Sequence, residues 1–304
     1  MALVTEVRPA ELPPPEIDLS PKRGWRQMKS GIATVLMALC FVLVLIPLVF
    51  VLATVLAKGF SVVVTDFPKF FTEDIPITSR STGPGMGPAI VGTLIITGAA
   101  TAMAVPLGIL GAVYLHEYGG QRPFARFVRF MSYVMAGVPS IVMGLFVYVL
   151  WTLRFGFSAF GGALALACLM LPIVIRSVEE MLKLVPTNLR EASYALGARK
   201  SRTILTVVLP SALPGVVSGC LLAVARAAGE TAPLLFTIGY VTSKNTSLFS
   251  GANTALSTQI FKNAISPFPG AQQRAWGAAL VLILIAFAFT VAARAISSRF
   301  ALKR

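Results

Sequence analysis

The chain has 304 residues, of which 56% are hydrophobic and 12% are charged, with a formal net charge of +14. A soluble globular protein carries about 25% charged residues, so this composition excludes that class and indicates a helical membrane protein. In a soluble protein the positive charge would indicate nucleic-acid binding. Here the lysines and arginines lie mostly in loops and tails, so we expect membrane lipid and no nucleic acid as a partner.

Apolar runs divide the chain. The N-terminal segment is rich in proline and mixed charge, which is typical of disorder, and the run from Ile32 to Ala57 contains no charged residue. The predicted parts are a disordered cytoplasmic tail at 1–30, a first transmembrane helix at 31–58, an external loop at 59–88, a core of five transmembrane helices at 89–298 and a cytoplasmic tail at 299–304.

The third predicted span, near residues 131–153, contains the sequence GVPSIVMGL. Pro139 removes a backbone donor and Gly137 adds conformational freedom, so we expect the helix to bend there. Ser140 then either exposes its hydroxyl to a polar path or bonds its own backbone at an ordinary proline kink. The sequence leaves both interpretations open.

Arg176 lies near the end of the fourth predicted span, three and four residues before Glu179 and Glu180. This spacing predicts that the arginine pairs with the glutamates on one helix face. A position near the interface favours a side chain that extends toward water. A place on a solute path is the alternative.

The fifth predicted span, near residues 212–240, carries two charges. Arg226 lies about 14 residues into this span, where an arginine costs at least about 2.5–3.5 kcal/mol. Glu230 is expected one helical turn further on the same face. The pair is either a structural salt bridge or part of a path for a charged solute. In the second case the guanidinium suits an oxyanion, and the carboxylate accepts a hydrogen bond from hydrogen phosphate but not from sulfate.

Positive charge predicts the orientation. Seventeen of the 26 lysines and arginines lie in the N-terminal tail, in the C-terminal end from Arg294 onward, and in the loops at 116–130 and 183–206. Cytoplasmic loops carry such an excess, so we expect both termini in the cytoplasm, with six spans in the plasma (cytoplasmic) membrane. The sequence has no P-loop, no HExxH motif and a single histidine, His116. We therefore expect no catalytic residue, cofactor or metal site, and any ATP must be bound by a separate subunit.

The loop at 183–206 contains the most specific pattern. Asn188 is expected to cap a short helix together with Glu191, and Gly197 to end it in a left-handed conformation. Such a helix either docks on a soluble partner or is a solvated loop that only sets topology.

The spacing of this loop resembles the EAA loop of binding-protein-dependent ABC importer permeases, with Ser193 where the family has alanine and Val207 where it has isoleucine. The resemblance implies the all-α, six-helix type I (MetI-like) permease fold, with a coupling helix at 187–200 that docks on a cytoplasmic ATPase. The residues assigned to this coupling are Glu191, Ala192, Ser193, Gly197, Leu209 and Pro210.

Three further segments resemble the PstA-type permeases of phosphate ABC importers, namely AGVPSIVMGL, PIVIRSVEEML and ARAAGETAPLLFTIG. The resemblance implies a second permease of PstC type, a PstB-type ATPase dimer, and a PstS-type phosphate-binding protein outside. The candidate path residues are Arg226, Glu230, Arg176, Ser140 and Thr231.

The expected function is ATP-driven phosphate import by alternating access, in which motion of the coupling helix travels along the fifth span to Arg226. The alternatives are import of sulfate, molybdate or an amino acid, and a non-transporting membrane scaffold or sensor that recruits an ATPase.

Overall fold

The computed structural model describes residues 25–77 and 85–300, and the chain divides into two units between Leu52 and Ala53. Most of the expected N-terminal tail, part of the external loop and the last four residues lie outside the described residues. Helix α1, Trp25–Thr65, begins in the first unit, where its side chains are exposed almost throughout. Residues 25–30, expected in the disordered tail, are helical, because no proline after Pro21 interrupts the start of the first span.

The second unit contains the remaining helices and a short helical turn at Lys69–Thr72. Its longer helices are α2 Gly87–Gly119, α3 Pro123–Gly137, α4 Ser140–Phe155, α5 Ala159–Lys183, α6 Thr187–Ala195, α7 Lys200–Ala228, α8 Ala232–Thr237, α9 Leu256–Ala264 and α10 Pro269–Phe300.

Five of the described helices, α1, α2, α5, α7 and α10, are long and apolar enough to cross a membrane. The number reaches the expected six if α3 and α4, which meet at a bend of 106°, form one span. The bend lies between Gly137 and Ser140, which confirms the break predicted at Pro139. The protein is therefore an all-helical, polytopic membrane protein.

Small residues allow the central helices to approach closely. Helix α2 packs most extensively against α5. A Cβ on Gly108 of α2 would lie 2.6 Å from Cγ1 of Val174 on α5, so only glycine fits there. The buried core at this contact is made of alanines and of larger apolar side chains such as Ile96 and Met170. Backbone-to-backbone packing of this kind is typical of membrane helices.

The fifth span differs from the prediction of one continuous helix over 212–240. Helix α7 starts at Lys200 and ends at Ala228, with Gly229 as its C-cap, and the chain resumes as the short helix α8. Glycine is common where a helix ends, and proline, here Pro233, is favoured in the first turn of a helix such as α8. The segment 241–274, which follows the predicted fifth span, contains helix α9.

Candidate functional site

A cavity of about 630 Å³ lies between α3, α4, α5 and α7, and we call it the Arg226 cavity. Four of the five candidate path residues line it, although they come from three separate regions of the sequence. They are Ser140, Arg176, Arg226 and Glu230. Thr231 is not among the lining residues and instead precedes α8, where its carbonyl accepts hydrogen bonds from the backbone N–H groups of Leu234 and Leu235.

Arg226 and Glu230 meet across the break between α7 and α8. The Nε of Arg226 is 3.9 Å from Oε1 of Glu230, and Arg226 lies two residues before the end of α7 instead of in the middle of a helix. At this distance the pair is an ion pair without a direct hydrogen bond. The Arg226 side chain is 70% exposed within this chain and makes no hydrogen bond to the described residues. Its N–H groups are thus available to a ligand.

Arg176 does not form the predicted pairs with the glutamates that follow it. Glu179 binds Arg129 of α3 at 3.0 Å, and Glu180 binds Lys183, three residues further along α5, at 2.9 Å, so other basic residues take both carboxylates. The guanidinium of Arg176 lies over the ring of Tyr133, with 5.5 Å between Cζ and the ring centroid. A cation–π contact leaves the edge donors of a guanidinium open. The geometry favours the interpretation that places Arg176 on the cavity.

Ser140 is the first residue of α4, directly after Pro139. Its hydroxyl has no hydrogen-bond partner among the described residues, so the ordinary kink in which it bonds its own backbone is not seen. The side chain lines the Arg226 cavity. The break in the helix therefore brings a hydroxyl to the same cavity as the two arginines.

Ser257, a residue of α9, was not among the residues predicted for the site. Its hydroxyl donates a hydrogen bond of 2.9 Å to the backbone carbonyl of Glu230. This bond fixes the backbone at the break, where Glu230 has no helical partner for its carbonyl. No sequence signal could have identified it, because the bond joins two segments that lie 27 positions apart in the chain.

The EAA segment, residues 187–200, forms α6 and the turn after it. Gly197 has φ +77°, and its N–H binds the Tyr194 carbonyl while the N–H of Ala198 binds the Ser193 carbonyl. These two bonds form a Schellman motif, which confirms the predicted helix end. The predicted cap at Asn188 is wrong, since α6 already begins at Thr187 after Pro186 and its first turn has no side-chain cap. Proline fixes φ for this start without a cap.

Leu209 and Pro210 lie inside α7, which begins at Lys200 and therefore earlier than the fifth span predicted near 212–240. A π-helical stretch, Ile204–Val208, precedes them. Proline has no N–H to bond the carbonyl four residues earlier, and a π-bulge is one way in which a helix accommodates this gap.

The surface of α6 is open. None of its nine residues is buried, and both Glu191 and Ala192 are exposed. Leu196 just beyond it is 89% exposed. Ser193, the departure from the family pattern, has a partner, because its Oγ lies 2.8 Å from Oγ1 of the fully buried Thr203. This contact ties α6 to the first turn of α7.

Comparisons with known proteins agree with these features. Residues 104–302 match the model of a family described as "Binding-protein-dependent transport system inner membrane component". The chain is 43% identical over 296 residues to "Phosphate transport system permease protein PstA 1" of Mycobacterium tuberculosis (strain CDC 1551 / Oshkosh), covering 96% of each chain. It is 40% identical over 283 residues to "Phosphate transport system permease protein PstA" of Yersinia pestis, covering 91% of this chain and 93% of that one.

Among solved structures, the chain is similar to a chain of the MetNI methionine ABC transporter in inward-facing conformations. The TM-score is 0.60 at 20% sequence identity, covering 70% of this chain and 95% of the other. At this identity the likeness concerns the fold alone.

Proposed function

This chain belongs to the family of binding-protein-dependent transport system inner membrane components and is a PstA-type permease of a phosphate ABC transporter, and we propose that the Arg226 cavity is its phosphate passage. The observation that carries the proposal is that two arginines without hydrogen-bonded carboxylates, Arg176 and Arg226, line one cavity. Guanidinium groups bind oxyanions with paired N–H donors.

Charges around the cavity support an anionic solute. Glu180 also lines it, but its Oε1 lies 2.9 Å from Nζ of Lys183, which offsets its charge. Glu230 is the remaining carboxylate, at 3.9 Å from Arg226. A carboxylate beside an arginine accepts a hydrogen bond from a protonated oxyanion. Hydrogen phosphate carries such a proton at neutral pH, so Glu230 favours phosphate over sulfate.

The side chain of Arg226 is largely exposed in the isolated chain. An arginine within a membrane span costs free energy if it faces lipid. We infer that a second permease, of PstC type, closes the cavity on this side. The other inferred partners are a PstB-type ATPase dimer and a PstS-type binding protein. The exposed surface of α6 with Glu191 and Ala192, together with Leu196 just beyond it, is the proposed docking site of the ATPase. The excess of positive charge supports a cytoplasmic side for this surface and for both termini.

The test compares Arg226→Gln with Arg154→Gln in cells that lack the native chain. Arg154 is exposed, lies outside the cavity and has Cζ 5.6 Å from the centroid of the Phe155 ring. We expect R226Q to abolish uptake of radiolabelled phosphate while the four kinds of subunit still co-purify, and R154Q to leave uptake unchanged. Normal uptake by R226Q would mean that the pair is structural and that the passage lies elsewhere.

A further inference from the structure

Two arginines hold the ends of α2 and α5 in a reciprocal arrangement. Arg190, which belongs to α6, donates from Nη1 to the Val185 carbonyl at 2.7 Å and from Nη2 to the Leu182 carbonyl at 3.0 Å. These carbonyls terminate α5 and the turn after it. The same Nη2 lies 3.1 Å from Oε1 of Glu117, at the end of α2.

Arg129, which belongs to α3, makes the converse set of bonds. Its Nη2 donates to the Leu115 carbonyl at 2.7 Å and its Nη1 to the Gly120 carbonyl at 3.2 Å, both at the end of α2. Its Nε donates to Oε1 of Glu179 on α5 at 3.0 Å. Each arginine therefore binds the C-terminal carbonyls of one helix and the carboxylate of the other. We call this set the reciprocal clamp.

The clamp is strong for physical reasons that act together. The last carbonyls of a helix lack backbone partners and carry negative partial charge, so a guanidinium is stabilised there. Both arginines also form charge-assisted bonds to carboxylates. The side chains of Arg190 and Glu117 are only 14% and 6% exposed. Removing one partner of such a pair leaves an uncompensated buried charge.

Further contacts surround the Arg190–Glu117 pair. The Nε2 of His116 lies 3.4 Å from Nη2 of Arg190, and Lys200 at the start of α7 donates to the Glu117 carbonyl. The end of α2 is thus bonded both to α6, through Arg190, and to the first residue of α7. When α6 moves, the ends of α2 and α5 must therefore move with it unless these bonds break.

We propose that Arg190 is a positioning residue that transmits movement of α6 to α2 and α5, in parallel with the covalent route from α6 into α7. The two routes end at the two arginines of the Arg226 cavity, because α5 carries Arg176 and α7 carries Arg226. The inference rests on the proposed function, in which α6 docks on the ATPase. It adds that Arg176 and Arg226 move together, because the clamp joins α5 to α6, and α6 is joined to α7 through the chain and to the end of α2 that Lys200 of α7 also binds.

The test uses the complete transporter, reconstituted with its ATPase and binding protein, carrying Arg190→Gln, Glu117→Gln or the control Arg126→Gln. Arg126 lies on α3 like Arg129, but it is exposed and has no side-chain bond to the described residues. We expect R190Q to lower the phosphate transported per ATP hydrolysed by about tenfold, which is a typical fold-change when the coupling between two sites is lost. E117Q removes the ion pair and leaves the carbonyl bonds, so its loss is smaller. R126Q keeps the wild-type ratio.

A merely structural role predicts a different result, in which uptake and ATP hydrolysis by R190Q fall in the same proportion and the ratio is unchanged. An unchanged ratio of phosphate transported to ATP hydrolysed, whether uptake is reduced or normal, would overturn the proposal. A second measurement does not depend on the transported solute. Amide hydrogen exchange at residues 115–120 and 182–185 should be faster in R190Q than in R126Q, and equal exchange would refute the clamp. Absence of phosphate uptake by the wild-type complex would instead refute the proposed function.

Discussion

Glu230 lies beyond the end of the helix that carries Arg226, yet its Oε1 is 3.9 Å from the Arg226 Nε. The helix is therefore interrupted between the two residues, and they are not separated by a rigid helical turn. The Glu230 backbone is held separately by Ser257 of α9. Such a pair can change its separation without unwinding a helix, which suits a site that binds and releases an anion.

Glu230→Gln should weaken the discrimination between phosphate and sulfate. The carboxylate only accepts hydrogen bonds, whereas the amide also donates them and carries no charge that repels a fully ionised anion. We expect sulfate to inhibit phosphate uptake about tenfold more strongly in E230Q than in the wild type. Competition with unlabelled sulfate measures this. Glu73→Gln, an exposed carboxylate outside the cavity, is the control, and equal sulfate sensitivity in all three proteins would contradict the prediction.

Gly144→Ala should disturb the contact between α4 and α8. A Cβ on Gly144 would lie 2.5 Å from Cα of Pro233, a backbone atom that cannot rotate away. Overpacking of this kind lowers the free energy of unfolding by about 1–3 kcal/mol. Gly98→Ala is the matched control, since a Cβ there meets nothing within 4 Å. Thermal unfolding in detergent measures the difference, and equal midpoints for G144A and G98A would show that α4 and α8 separate freely.

Gly197→Ala should impair attachment of the ATPase. At φ +77° a Cβ costs about 1–2 kcal/mol, although no neighbouring atom would clash with it. The strain falls on the Schellman motif that ends α6, so the helix end is expected to fray. The amount of ATPase that co-purifies with the permease should fall in G197A and recover in Gly197→Asn, because asparagine tolerates this conformation better. Full retention by G197A would mean that the helix end is not part of the docking surface.

Some structural features could be predicted from local sequence. Gly197 ends α6 because the left-handed position it occupies favours glycine, and Pro139 breaks the third span because it lacks a backbone donor. Both are properties of single residues and their immediate neighbours. The helical cap at Asn188 failed because Pro186 starts the helix earlier, which shows that element boundaries are less reliable than element types.

Ion pairing could not be predicted in the same way. Spacing along the helix suggested that Arg176 pairs with Glu179, but Glu179 binds Arg129, a residue 50 positions away in the chain. Helix neighbours at this spacing gain only about 0.2–0.5 kcal/mol. A charge-assisted bond to a partly buried partner that also binds the end of another helix contributes more stabilising free energy.

The sequence by itself determined that this protein is a helical membrane protein, where most of its spans lie, and that a polar loop with the EAA spacing separates two of them. Apolar run length and glycine and proline chemistry are local, so the chain alone specifies them. Only the tertiary structure decided which charges meet. Arg176 and Arg226 share a cavity, and Arg190 reaches Glu117 across 73 positions, because the packing of α2, α5 and α7 brings them together.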